Sequence, residues 1–112
     1  MKIIRNDIIP FKGYKCVNLF GILFVRKDVR IDAVDINHEE IHTAQMKEML
    51  YVFFYLWYLI EWIFRLFQYK FTHGAYRNIS FEREAYANQG NVQYLQGRKL
   101  WAWVKYLKGS AE

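Results

Sequence analysis

No glycine or proline interrupts the chain from Asn37 to His73. A stretch of that length without either breaker favours helix, and helix is expected for most of residues 37–67. Within it, residues 49–60 (M-L-Y-V-F-F-Y-L-W-Y-L-I) are twelve positions without a charge. As helix they span about 18 Å, short of the roughly 30 Å hydrocarbon core of a bilayer. Extension to Phe67 gives nineteen residues but takes in Glu61 and Arg65. Spaced i,i+4, these two can pair on one face, yet they are costly at bilayer depth even when paired. The segment therefore reads as inserted into or lying on a membrane rather than simply crossing one. A core helix is the competing reading, and a small chain would struggle to cover it on all sides.

Composition points the same way. Twenty-two of the 112 residues are aromatic, more than a small soluble core usually takes, so an exposed apolar surface for a lipid or protein partner is expected. The net charge of +5 is unevenly placed: residues 1–30 carry +5, residues 91–112 carry +3, and residues 31–90 carry −3. Basic ends suit anionic headgroups. Nucleic acid is the rival partner for a basic chain, but no zinc-finger, RNP or helix-turn-helix pattern is present, and none is expected to bind. Cys16 is alone, which excludes an intramolecular disulfide. The first ten residues lack the apolar core of a cleavable signal. A position on the cytoplasmic side of a membrane is expected.

The length suggests one domain, of α+β class. Residues 1–33 read as a β-hairpin region, with strands at residues 15–20 and 22–26, rich in branched and aromatic side chains and separated by Gly21 as a turn or bulge. Residues 34–68 form the next unit, a helix starting near Asp35 or Asn37, both good N-caps, and continuing into the aromatic segment. Residues 68–78 read as a loop. Residues 78–108 hold two more helices: one capped by Asn78 or Ser80 and stopped by Gly90, and one from about 91 to 107 combining Trp101 and Trp103 with Lys105 and Lys108, the composition of an interfacial helix.

The chemistry is concentrated in residues 38–42, H-E-E-I-H. On a helix His38 and His42 share a face and can share one metal ion. Two imidazoles and a third ligand leave a zinc ion open to water, and Glu39, next to the first ligand, is placed to act as general base. Glu40 points elsewhere. The third ligand must come from downstream, where Glu82, Glu84 and His73 are candidates. His73, Tyr76 and Arg77 are candidates for stabilising an oxyanion.

The wider segment N-H-E-E-I-H-T-A-Q resembles H-E-x-x-H-x-x-Q, a form found in small bacterial gluzincin-like domains, and F-E-R-E-A-Y resembles the E-x-E-A-D helix of membrane gluzincins of the CAAX-prenyl endopeptidase family. The resemblance implies a zinc-dependent metallopeptidase acting on a peptide or protein substrate at the bacterial inner membrane. By position it makes Glu82 the third zinc ligand and Glu84 the second glutamate of the motif, and sets Tyr86 where the family's Asp braces a zinc histidine. It also implies an edge strand holding the substrate backbone, which would be Ile22–Arg26. Tyr86 departs from the pattern, since a phenol cannot supply the charge of that Asp. The alternative is a catalytically inactive zinc-binding protein with an interaction or scaffold role at the membrane.

Chain reach adds a geometric expectation. A straight helix from His42 to Phe67 would carry the chain about 38 Å from the histidines, and the following fourteen residues, stretched, return it by roughly 46–50 Å at most. A bend or break between Met49 and Glu61 would relieve this, although no Gly or Pro marks the place.

Overall fold

The computed structural model describes residues 1–10, 12–70 and 73–108. Three strands come first: β1 (Lys2–Asn6), β2 (Cys16–Leu19) and β3 (Ile22–Arg26). Their order is β1-β3-β2, with β1 parallel and β2 antiparallel to β3. Phe20 and Gly21 join β2 to β3 with φ of 55° and 89°. Two successive positive φ values give the turn whose twist matches the flanking strands. The hairpin stands, but the N-terminus adds a third strand to it, pairing Lys2 with Ile22 through Asn6 with Arg26. Ile22–Arg26 is therefore the central strand and not the expected edge. The edge beside the helices is β2.

Helix α1 (Ala33–Glu48) starts earlier than expected. Asp32 is its N-cap and Asp35 sits three residues inside, each carboxylate accepting the other's backbone N–H in a reciprocal capping box. Asn37 is no cap. Its side-chain amide donates to the carbonyls of Gln89 and Asn91, both at 2.9 Å.

The helix ends where the uncharged run begins. Leu50 takes φ 54°, its N–H donates to Lys47 O, and the Tyr51 N–H donates to Met46 O at 2.7 Å. These two bonds make a Schellman motif with leucine in the position that glycine usually holds. Tyr51 follows at φ 60°, ψ −60°, with Val52 N bonded to Leu50 O, a strained three-residue turn. Helix α2 (Val52–Gln68) leaves at 110° to α1. The expected break thus falls at residues 49–51.

Next come α3 (His73–Arg77), within the expected loop, and α4 (Ser80–Asn88). Neither Asn78 nor Ser80 caps α4 with its side chain; Ile79 is the N-cap and makes no such bond. Glu61 of α2 does the work from across the core: its carboxylate accepts from Ser80 N at 2.7 Å and Ser80 Oγ at 2.6 Å. Glu61 and Arg65 do pair, at 3.3 Å, and both are buried. The expected C-terminal helix over 91–107 does not form. The chain makes one turn, α5 (Tyr94–Gly97), runs extended at Arg98, turns left-handed at Trp101 and closes in a 3-10 turn (Ala102–Tyr106). Its break has a cause: the Arg98 guanidinium is drawn between Glu48 and Glu84, and burying a charge with two partners outweighs local helix propensity. Met46, Phe54, Ile79, Phe81 and Trp103 form the core under these helices.

Two stability outcomes follow. Leu50→Gly removes an exposed side chain from a left-handed position, and should raise stability by about 1 kcal/mol. Glu61→Ala leaves Arg65 buried without its partner and α4 uncapped, and should lower stability by about 3–5 kcal/mol. Chemical denaturation measures both; a neutral Glu61→Ala would show that the α2–α4 junction does not depend on that carboxylate.

Candidate metal centre

Helix α1 presents His38 and His42 one turn apart, and α4 lies across them with Glu82 facing the pair. His42 Nε2 lies 3.2 Å from His38 Nε2 and 3.2 Å from Glu82 Oε1, and His38 Nε2 lies 3.3 Å from the same oxygen. All three residues are buried. The second Glu82 oxygen is occupied elsewhere, accepting from the Tyr58 hydroxyl at 2.8 Å, so one carboxylate oxygen is offered to the histidines.

Hydrogen-bond bookkeeping gives the tautomers. The Gln45 amide nitrogen donates to Phe81 O at 3.0 Å and Glu84 Oε1 at 2.9 Å, neither of which has a proton to give. Gln45 Oε1 must then face His42 Nδ1, 2.8 Å away, and that nitrogen must carry the hydrogen. His38 Nδ1 likewise meets Gln89 Oε1 at 2.7 Å. With hydrogens on Nδ1, both Nε2 atoms can present lone pairs to the same point as Glu82 Oε1 once a metal cation takes the place of an Nε2 proton. Three such atoms with edges of 3.2–3.3 Å match one face of a tetrahedron with centre-to-corner distances of about 2.0 Å, the bond length of His and carboxylate ligands to zinc. The group can hold a metal ion.

The local field asks for a cation there. Burial disfavours a charged imidazole, but the adjacent Glu82 carboxylate outweighs it and raises His42 to about 9. Burial likewise works against a charged Glu82, and the His42 and His38 imidazoles overcome it, holding the carboxylate far below its usual range. Glu39 opens onto the same cavity of 270 Å³ as His42, Glu82 and Tyr76. Its pKa is raised by burial, which the two imidazoles only partly offset. Cys16 also lines the cavity, but burial and then Glu39 push its thiol up to about 11, leaving it protonated and a poor ligand or nucleophile.

The remaining candidates separate cleanly. Glu84 faces away from the histidines, bonded to Gln45, Tyr94 and Arg98. Two residues apart on one helix, Glu82 and Glu84 serve different neighbourhoods. Tyr86 braces neither ring nitrogen. It packs edge-on against His38, centroids 4.6 Å apart, under the Arg77 guanidinium, while its hydroxyl meets that of Tyr76 at 3.3 Å. The bracing falls instead to Gln45 and Gln89. Gln45 carried a signal, as the last residue of H-E-x-x-H-x-x-Q. Gln89 carried none, because it reaches His38 only through the Asn37 clamp on the end of α4. The His73 side chain lies outside the described residues.

His38→Ala, His42→Ala and Glu82→Ala should each abolish stoichiometric metal binding, whereas Tyr86→Phe keeps the ring against His38 and should leave it intact. Gln45→Leu removes the brace on His42, and a 10–100-fold loss of metal affinity is expected, read by metal titration with elemental analysis. Wild-type metal content in both histidine variants would place the binding elsewhere. No protein-family model matches this chain, and no curated protein or solved structure matches it.

Proposed function

We propose that this centre binds Zn2+ and that the protein is a zinc-dependent peptidase hydrolysing a peptide or protein substrate. The observation that carries the reading is the convergence of His38, His42 and Glu82, with His42 and Glu82 opening with Glu39 onto a cavity walled by the edge strand β2. The motif resemblance to gluzincins supports it. When bound, zinc supplies a Lewis acid that acidifies water and polarises a carbonyl oxygen.

The chain's own residues do the rest. His38, His42 and Glu82 hold the ion, with Gln45, Gln89 and Tyr58 fixing which atoms they offer. The Glu39 carboxylate takes a proton from the attacking water as its oxygen bonds to the substrate carbonyl carbon, and gives it to the amine nitrogen as the C–N bond breaks. Strand β2 holds the substrate. Ladder bonds to β3 use Leu19 and Val17, so the alternation of an antiparallel pair turns the backbone groups of Asn18 and Cys16 to the open edge. The Tyr55 hydroxyl already donates to Asn18 O and accepts from Phe20 N. A substrate strand would thus pair at Cys16 and stop at Tyr55. Tyr76, whose hydroxyl meets that of Tyr86, lines the same cavity and is the residue we assign to an oxyanion.

Glu39→Gln separates this reading from a zinc protein that performs no hydrolysis. The variant should retain one zinc per chain and lose about 10²–10⁴-fold in turnover on a quenched fluorescent peptide library. Equal turnover in both proteins would remove Glu39 from the reaction. Wild-type protein carrying zinc but inert on the whole library would favour the interaction or scaffold role.

A further inference from the structure

Helix α2 is built inside out. Its only charged side chains, Glu61 and Arg65, are 5% and 6% exposed and face the protein. Its outer surface is made of ten exposed apolar residues, with Gln68 the single polar one at its end. At 100° per residue the ten spread over about 220° of the circumference, from Trp62 through Leu59, Leu56 and Ile60 to Phe64 and Trp57. A helix on a water-facing surface carries the reverse pattern. We infer that this face of α2 is a lipid-docking surface that beds the protein in one leaflet of an anionic membrane.

Two observations choose lipid over a protein partner. The arc is too wide for one facing surface: a second copy packed on α2 would cover a stripe and leave its flanks in water, whereas hydrocarbon wraps the whole arc. The charge at the two ends also fits headgroups. Exposed Lys70 follows the helix, and Lys108 adjoins its last turn through the Arg65–Leu107 bond. Lys47 and Lys99 lie at its start, where Trp101 N bonds Glu48. Between the ends the helix runs about 25 Å without an exposed charge. Trp57 and Trp101, either side of the buried Trp103 at 6.0 and 5.9 Å, bring the C-terminal turn into the same surface, and tryptophan is a residue that membrane interfaces favour. No single helix among the described residues is long and apolar enough to cross a membrane, which agrees with bedding rather than spanning. This surface is the opposite side of α2 from Phe54 and Tyr58 of the cavity, so it stands independently of the metal centre.

The test is flotation of the full chain, freed of detergent, with vesicles of phosphatidylcholine and phosphatidylglycerol, beside the triple variant Leu56→Glu, Ile60→Glu, Phe64→Glu. All three positions are exposed, and circular dichroism checks that the variant keeps its helices. The wild type should float, its tryptophan fluorescence should be quenched by brominated acyl chains, and the variant should partition at least tenfold more weakly. Retention of binding by the folded variant, release of the wild type by high salt alone, or a wild type that stays in the aqueous phase would overturn the inference. So would a defined wild-type oligomer, in the absence of vesicles, that the variant converts to monomer.

Discussion

Everything in this molecule depends on the turn at Leu50 and Tyr51. Two residues with φ of 54° and 60° swing α2 through 110° from α1. Continued straight, the chain would leave the histidines by about 38 Å, and Glu82 would be returned only by a nearly stretched connection. The break folds Phe54 and Tyr58 back beside His42 and Glu82. Left-handed backbone at leucine is unfavourable by roughly 1–2 kcal/mol, the three-residue turn at tyrosine is strained as well, and the Schellman bonds, with the rings of Phe20 and Tyr51 at 6.2 Å, hold the pair.

Helix α4 is the second consequence. Nine residues long and without a cap of its own, it would be marginal alone. Three side chains from other helices hold it: Glu61 at its first turn, Gln45 at the Phe81 carbonyl, and Asn37 at the carbonyls just past its end. Each bond satisfies a backbone group or polar atom that burial would otherwise penalise. The same attachments aim Glu82 at the histidines and lay Gln89 on His38. A ligand geometry held to a few tenths of an ångström comes from this surrounding shell, not from the ligands themselves.

The two charges of α2 show how burial and exposure are coupled here. Glu61 and Arg65 are spent on the interior, as cap for α4 and as anchor for the Leu107 carbonyl. With no charged residue left for the outer face, that face is apolar up to Gln68 at its end. An aromatic core and an apolar exterior are both present, and aromatic side chains among the described residues supply both.

What the sequence determined by itself lay within a few residues' reach. Alternating branched residues and Gly21 make the hairpin, the spacing of His38 and His42 puts both on one face, and the tight length of chain between Phe67 and Glu82 favours a bend. These follow from local periodicity and bond lengths. The tertiary structure decided the rest. Strand β1 pairs with the side of β3 away from β2, so it makes β3 central and leaves β2 at an edge. Leu50 takes the place of glycine because the Schellman bonds and the packing of Tyr51 override its backbone preference. Residues 94–106 give up a continuous helix to place Arg98 between Glu48 and Glu84, and Asn37, an apparent cap, instead spans more than fifty residues to the end of α4. In each case a contact between distant segments outweighs a local preference of about a kilocalorie, and such contacts leave no trace in a window of neighbouring residues.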